Sequence, residues 1–165
     1  MKRLWREEVI RGRSIVYIDE SGFEREAKRE RGYSQKGARC YDVQDWSKIP
    51  GRTNVIGALI DNTILSCSLW ETTITTDVFY AWLTQDLIPR LPENSILVLD
   101  NAAFHKRYDI KEAIETAGHI LLYLPPYSPD LNPIEHSWAN LKELRKTLRC
   151  SVEGLFSSIR YYGKL

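Results

Sequence analysis

The chain has 165 residues, 43% of them hydrophobic and 27% charged, with a formal net charge of +1; this composition is typical of a globular domain that buries its own core. No apolar run approaches the roughly 20 residues that cross a bilayer, and the N-terminus lacks the apolar stretch of a secretion signal, so we expect a cytoplasmic protein without a membrane partner. Three widely separated cysteines form neither a disulfide framework nor a zinc-ligand pattern, and we expect reduced thiols at Cys40, Cys67 and Cys150.

The first half of the chain predicts a lead-in, a buried strand, a hairpin and a helix. Residues 1–13 form the lead-in, and the apolar run Ser14–Ile18 predicts a strand that ends at Asp19. The charged residues 24–39 predict a loop or a weak hairpin. The remaining predicted elements are a hairpin of Thr53–Ile60 and Thr63–Glu71 about the turn Asp61-Asn62, and a helix over Thr76–Leu87 that is capped by Thr76 or Asp77 and ended by Pro89 and Pro92.

The second half alternates strands and helices. In chain order we expect a strand at Ser95–Leu99 that ends at Asp100, a helix at Lys106–Ala117 that stops at Gly118, a strand at His119–Tyr123, a proline-rich loop at Pro125–Pro133, a helix at Pro133–Leu148 and another after Ser151. Antiparallel strands followed by strand–helix–strand crossovers predict a ribonuclease-H-like mixed five-stranded sheet flanked by helices, in one domain over 14–165.

Two carboxylates follow the predicted strands, Asp19 after the first and Asp100 after the fourth. In this topology those strands are adjacent and parallel, so both side chains meet at one edge of the sheet, where open α/β sheets bind ligands. Asp also favours turns, which is the structural alternative for either residue alone. Glu20 competes with Asp19 as a ligand, but successive strand residues face opposite sides of a sheet, so only one of them reaches the site.

A third carboxylate, Glu135, is separated from Asp100 by 34 residues and lies at the start of the long helix. The run Asn132-Pro133-Ile134-Glu135 has the pattern of a capping box, with Asn at the N-cap and Glu three residues later. A first-turn position also gives a carboxylate a defined direction. Three acids at the ends of separate elements can hold two divalent ions, and hard oxygen ligands favour Mg²⁺ or Mn²⁺. Such a site points to phosphodiester chemistry on a nucleic acid.

The segments around these acids read YIDESGF, VLDNAAFH and LPPYSPDLNPIEHSWANLK. They resemble the catalytic (DDE) domain of Tc/mariner-superfamily transposases, particularly the bacterial insertion-sequence branch, from about Ser14 to about Arg149. The resemblance implies that Asp19, Asp100 and Glu135 are the catalytic residues. With two Mg²⁺ or Mn²⁺ ions they would cleave the transposon ends and join the freed 3′-hydroxyl to target DNA.

The resemblance also bears on partners and on neighbouring residues. Helix-turn-helix modules precede the catalytic domain in this family and we expect them to be absent here, which leaves a separate N-terminal DNA-recognition region and a homodimer as open options. Asn101 would orient a metal-bound water. His105 would contact a phosphate or assist proton transfer, unless its role is structural.

Basic residues are concentrated outside the net acidic middle of the chain, in 1–13, 24–39 and 142–165. They suit either a phosphate-binding surface around a carboxylate site or solvated faces of helices and loops. The segment Gly32–Gly37 resembles a family signature in which many members carry Trp where Tyr33 stands. The candidate DNA contacts are Lys36, Arg39, Lys142, Arg145 and Lys146.

Two other functions compete with transposition. One is a ribonuclease H or junction resolvase of the same fold, against which the motif SPDLNPIE argues. The other is a catalytically idle DNA- or partner-binding remnant of a transposase, against which the three intact acids argue.

Overall fold

The computed structural model of the chain describes residues 12–24, 51–126 and 128–162. The predicted lead-in over residues 1–11 and the charged segment 25–39, with the candidate DNA contacts Lys36 and Arg39, lie outside the described residues, as does Cys40. Of the other two cysteines, Cys67 is buried and Cys150 is half-buried. No helix in the described part of the chain combines the length and the apolar character needed to cross a bilayer.

Five strands form one mixed sheet, in the spatial order β3-β2-β1-β4-β5. Strands β1, β2 and β3 pair antiparallel, whereas β4 and β5 pair parallel to β1 and to each other. This confirms the predicted ribonuclease-H-like sheet. The strands are β1 (Ile15–Glu24), β2 (Arg52–Ile60), β3 (Thr63–Trp70), β4 (Ile96–Leu99) and β5 (Ile120–Tyr123).

The β2–β3 hairpin turns at Asp61 and Asn62, which have φ angles of 47° and 61°. Both residues therefore lie in the left-handed region, as a two-residue hairpin turn requires, and Asp and Asn tolerate it better than most residues. The predicted hairpin and its turn are confirmed.

The described part of the chain contains four α-helices, which come after β3, after β4 and after β5. They are α1 (Thr76–Trp82), α2 (Tyr108–Thr116), α3 (Pro133–Leu148) and α4 (Val152–Tyr162). A π-helical turn at Leu83–Leu87 and a 3₁₀ turn at Ile88–Arg90 extend α1, so helical backbone continues through Pro89. The predicted caps at Thr76 or Asp77 are wrong: Thr75 is the N-cap, and its hydroxyl accepts a hydrogen bond from the Val78 amide at 3.3 Å.

Helices cover both faces of the sheet and divide the core into two layers. On one face Phe79, Trp82 and Ile110 from the α1 and α2 side pack against Val16 and Ile18 of β1. On the other face, helices α3 and α4 pack against the intervening residues of the same strands. The helix residues in this layer include Ile134, Trp138, Leu141, Leu155 and Phe156. Helix α3 therefore packs on β1 and β2. Its first turn lies at the edge of the sheet where the parallel strand β4 ends.

Candidate active site

A pocket of about 400 Å³ opens at this edge of the sheet. Three predicted carboxylates line it, together with backbone and side chains of the two loops that follow β4 and β5. The lining residues are Asp19, Asp100, Asn101, Ala102, Leu124, Pro125, Pro126, Ser128, Pro129, Asn132 and Glu135. The structure thus brings Asp19, Asp100 and Glu135 to one pocket from β1, the loop after β4 and α3, and it places Asn101 beside them.

The position of Asp19 within its strand differs from the prediction. β1 does not end at Asp19 but runs on to Glu24, because residues up to Glu24 pair with β2. The parallel ladder to β4 stops earlier, at the pair of Tyr17 with Val98. Asp19 therefore lies just past the end of the parallel ladder, at the predicted edge. Its own strand continues beyond this point through its antiparallel pairing with β2.

Alternation along β1 separates Asp19 from Glu20, as expected. Asp19 shares a face with Phe23 and points towards α3, whereas Glu20 shares the face of Val16 and Ile18. Only Asp19 lines the pocket.

Asp19 is 7% exposed, and its Oδ2 has no hydrogen-bond partner among the described residues. Burial raises the pKa of Asp19 to about 8, and the charges of Glu135, Glu20 and Asp100 add to this effect. A carboxylate held in this way has free coordination capacity and lies among other negative charges. These are the properties of a site that favours a bound cation.

Helix α3 reaches the sheet at a glycine. Gly57 of β2 pairs with Asp19 in the sheet register, and the Trp138 ring lies against it so closely that a Cβ on Gly57 would be 2.8 Å from Cζ2 of the indole. Glu135 precedes Trp138 by one helical turn on the same side of α3. The absent side chain at Gly57 therefore lets α3 approach until Glu135 lies at the pocket over Asp19.

The start of α3 departs from the predicted capping box. Asn132 is the N-cap by position, and its carbonyl accepts a hydrogen bond from the Glu135 amide at 3.1 Å, but its side chain caps no helical amide. The Asn132 side chain instead lies at the pocket, where the residue is 4% exposed and its Oδ1 has no partner among the described residues. Capping therefore does not account for this side chain.

Asp100 is held by two hydrogen bonds to a single oxygen. The Ala102 amide donates to Oδ1 at 3.0 Å, and Nδ1 of His105 donates to the same atom at 2.6 Å. The hydrogen bond from His105 is the main reason that the pKa of Asp100 lies below its ordinary value. Oδ2 of Asp100 is consequently the oxygen left for a ligand, on a side chain that is 45% exposed.

His105 is fully buried, which excludes the predicted contact between its side chain and a DNA phosphate. Its ring lies 4.0 Å from the Phe104 centroid and 4.7 Å from the Phe79 centroid. Nε2 of His105 donates to Oε1 of Glu20 at 3.0 Å. Burial lowers the pKa of His105, but the hydrogen bonds to Asp100 and Glu20 outweigh it and raise this pKa to about 9.

The pocket fits a divalent cation by its donor chemistry. It offers oxygen ligands only, and two of the buried oxygens, Asp19 Oδ2 and Asn132 Oδ1, have no partner within the described part of the chain. The three carboxylates line the pocket without converging on one point: among the described residues no three His, Cys, Asp or Glu side chains are gathered closely enough to hold an ion as they stand. Glu135 is the exposed member of the three and lines the pocket from the first turn of α3.

The raised pKa of Asp19 predicts a pH-dependent stability of the metal-free protein. Because the folded pKa of about 8 exceeds the unfolded value of 3.8, the folded state binds the extra proton between these values and the free energy of unfolding falls as pH rises through this window. In EDTA, Asp19→Asn should therefore be more stable than the wild type by at least about 1 kcal/mol near pH 8, with the gain vanishing near pH 4. Urea unfolding at a series of pH values measures this difference, and a gain that does not change with pH would contradict it.

The basic residues of α3 do not share one environment. Lys142 and Lys146 are exposed; Nζ of Lys142 lies 5.4 Å from the Phe23 ring centroid, and Lys146 lies 3.9 Å from Glu143. Arg145 is only 6% exposed, and its Nε donates to the Cys150 carbonyl at 3.2 Å. The prediction that Arg145 contacts DNA is wrong, because this side chain is buried and its Nε hydrogen-bonds the carbonyl of Cys150, just beyond the end of its own helix.

We expect Arg145→Ala to lower the free energy of unfolding by about 1–3 kcal/mol, because it removes both a buried aliphatic stem and a hydrogen bond to the Cys150 carbonyl in the connection between α3 and α4. The neighbouring exposed residue provides the matched control, since Lys146→Ala should change stability by no more than about 0.5 kcal/mol. Chemical denaturation of the two variants tests the contrast. If the two variants have equal free energies of unfolding, the burial of Arg145 does not contribute to stability.

Sequence reasoning missed two features of this pocket. One is the contact of Glu20 with His105, and the other is the buried amide of Asn132. The strand alternation that separated Glu20 from Asp19 also placed Glu20 on the face of the buried Val16 and Ile18, which was a usable signal. Nothing in the sequence indicated that the Asn132 side chain would line the pocket and leave the first turn of α3 uncapped.

A five-stranded sheet in this order, with carboxylates at the edge where the parallel ladder ends, places the chain in the class of ribonuclease-H-like domains. The model of the DDE superfamily endonuclease family matches residues 14–151. The chain therefore belongs to the DDE superfamily endonucleases.

Solved structures of Mos1 mariner transposase share this fold. The paired-end complex with Mn superposes with a TM-score of 0.70 and 20% identity, over 98% of this chain and 52% of that chain. The strand transfer complex gives 0.66 and 20% over 86% and 45%, and the isolated catalytic domain gives 0.64 and 18% over 98% and 74%. The chain thus spans about half the length of the transposase in those complexes. A comparison with curated proteins gave no significant sequence match.

Proposed function

We propose that this chain is the catalytic part of a cut-and-paste DNA transposase of the Tc/mariner superfamily, from a bacterial insertion sequence acting on DNA in the cytoplasm. The reaction would be metal-dependent cleavage at the transposon ends and transfer of the 3′-hydroxyl to target DNA. The observation that carries the proposal is the pocket into which three separate elements bring Asp19, Asp100 and Glu135, with Asp19 Oδ2 left without a partner among the described residues.

In this proposal Asp19, Asp100 and Glu135 bind two Mg²⁺ or Mn²⁺ ions. The metal supplies Lewis-acid stabilisation of the phosphate oxygens and activation of the attacking oxygen. The two mariner complexes solved with Mn and with Mg support this choice of ions. The protein's own contribution is to favour hard divalent cations over softer ones such as zinc, because the described lining residues offer oxygen donors, and to hold Asn101 at the rim, where its amide would orient a water.

DNA would reach the pocket across the exposed part of α3. Lys142 and Lys146 lie on that helix downstream of Glu135 and would contact the phosphate backbone without reading the sequence. Transposon ends and target DNA are the proposed partners, since solved mariner complexes hold a transposon end or represent strand transfer. A homodimer and a separate N-terminal region for end recognition belong to the same proposal.

Plasmid cleavage tests the proposal. The chain is incubated with supercoiled plasmid in Mg²⁺, in Mn²⁺, in Ca²⁺ and in EDTA, and a labelled oligonucleotide with a free 3′-hydroxyl is added to score strand transfer. We expect nicking and joined product in Mg²⁺ or Mn²⁺ and neither in EDTA. Metal-independent nicking that survives the replacement of all three acids would contradict it.

One observation favours the idle remnant as a second candidate: the acids are not gathered at ligating distances among the described residues. A remnant would bind DNA without binding Mn²⁺ in the pocket and would not nick in any metal. The same plasmid assay, accompanied by a gel-shift measurement of DNA binding, therefore separates the two functions.

A further inference from the structure

We propose that His105 and Glu20 form a positioning clamp that fixes the Asp100 carboxylate for metal binding by tying the loop after β4 to strand β1. This inference rests on the proposed function, because it concerns the geometry of the same pocket. Neither His105 nor Glu20 lines the pocket, so both act through Asp100 rather than on the ion or the DNA.

The clamp lies where the sheet itself gives no support. The last parallel pair joins Tyr17 of β1 to Val98 of β4, and Asp100 is two residues beyond it. Beyond this point the His105 side chain links β1 to the loop after β4. Its Nδ1 donates to Asp100 Oδ1 at 2.6 Å, and its Nε2 donates to Glu20 Oε1 at 3.0 Å. Because Glu20 is next to Asp19 in β1, one imidazole links the strand that carries Asp19 to the loop that carries Asp100.

The His105 imidazole is enclosed by packing contacts, and the backbone of the residue is hydrogen-bonded. It is fully buried against Phe79 and Phe104, and the His105 carbonyl accepts a hydrogen bond from the Tyr123 hydroxyl at 2.9 Å. Both the ring and the backbone of the residue are therefore anchored. The hydrogen bond to this anchored ring therefore fixes the position of the Asp100 carboxylate.

The clamp also selects which Asp100 oxygen faces the pocket. His105 Nδ1 and the Ala102 amide both donate to Oδ1, which leaves Oδ2 as the ligand atom. Outer partners that orient a metal ligand in this way usually contribute 10–100-fold, approximately, to metal affinity.

Three substitutions at one position test the clamp. His105→Phe keeps an aromatic ring between Phe79 and Phe104 but removes both hydrogen bonds. His105→Asn places an amide nitrogen near Nδ1 and can still donate to Asp100. His105→Gln places it near Nε2 and can still donate to Glu20 only. Because Asn and Gln both leave part of the aromatic cage empty, a purely structural role lowers the unfolding free energy of both and gives them the same metal affinity.

The measurement is calorimetric Mn²⁺ binding to the chain, with unfolding free energies measured alongside. We expect Mn²⁺ affinity to fall about 10–100-fold in His105→Phe and His105→Gln, and by a smaller but measurable factor in His105→Asn, which keeps the donor to Asp100 but loses the tie to Glu20. Equal affinities of the Asn and Gln variants, or wild-type affinity in the Phe variant, would overturn the clamp while leaving the proposed function in place. If His105→Phe fails to fold, the Asn and Gln pair decides. A wild-type chain that binds no Mn²⁺ would overturn the proposed function and the clamp with it.

Discussion

Asp100→Asn should leave the fold intact and reduce metal-dependent nicking at least about a thousandfold, a loss of roughly 4 kcal/mol of transition-state stabilisation. The amide oxygen can still accept the hydrogen bonds that the Ala102 amide and His105 donate to Oδ1, so the loop keeps its anchors. The variant loses the charge and replaces the free oxygen Oδ2 with a nitrogen that cannot bind Mg²⁺. Initial rates of plasmid nicking in saturating Mn²⁺ measure the effect.

Asp130→Asn is the matched control for this prediction. Asp130 lies in the 3₁₀ turn Pro129–Leu131 close to the pocket, but it is exposed and is not part of the pocket lining. The same chemical change should therefore leave the nicking rate within about 2-fold of the wild type, since surface substitutions away from a site have small effects. If the two variants nick at similar rates, Asp100 is not a metal ligand for this reaction.

Gly57→Ala should lower the free energy of unfolding by about 2–3 kcal/mol, although it adds a single methyl group. The new Cβ would meet the indole of Trp138 at 2.8 Å from Cζ2 and closer still at Cη2. Trp138 is 1% exposed and cannot rotate away without moving α3. The displaced helix carries Glu135 with it, so we also expect weaker Mn²⁺ binding. Urea unfolding and Mn²⁺ calorimetry measure the two effects.

Two further variants separate the Trp138 contact from a general cost of replacing glycine. Gly154→Ala in α4 should be neutral or stabilising by up to about 1 kcal/mol, because a Cβ there would be 3.2 Å from a single exposed hydroxyl. Trp138→Phe removes the indole atoms nearest Gly57. In the double variant with Gly57→Ala the cost should be smaller than the sum of the single costs, and strict additivity would mean that the two residues are not in conflict.

The fold and the placement of Asp19 and Asp100 at one edge of the sheet were predictable from local patterns, whereas the choice of Glu135 rested on the resemblance. The apolar runs before Asp100 and after Gly118 are short and bounded by turn residues, and they became β4 and β5. The hairpin turn at Asp61 and Asn62 follows from the tolerance of these residues for positive φ. Once the strand order was known, the meeting of Asp19 and Asp100 at one edge followed from parallel pairing.

The details that were wrong depend on contacts between distant segments. Residues Glu20–Glu24 have a weak strand pattern, and only pairing with β2 keeps them extended. His105 resembles a loop residue in sequence, and its burial results from packing against Phe79, which is 26 positions away. Arg145 is a different case, because it continues the buried stripe of Ile134, Trp138 and Leu141 along α3. That spacing was visible in the sequence and would have indicated an inward position.

Calorimetric titration of Mn²⁺ into the metal-free chain tests the central claim most directly, with the wild type compared to Glu135→Gln and to the control Asp130→Asn. Glu135 comes from α3, whereas Asp19 and Asp100 come from β1 and the loop after β4, so this variant asks whether the three elements serve one site. We predict saturable binding in the wild type and in Asp130→Asn, and affinity at least about tenfold weaker in Glu135→Gln. Undiminished binding in Glu135→Gln, or no binding by the wild type even with DNA present, would contradict a three-carboxylate metal site.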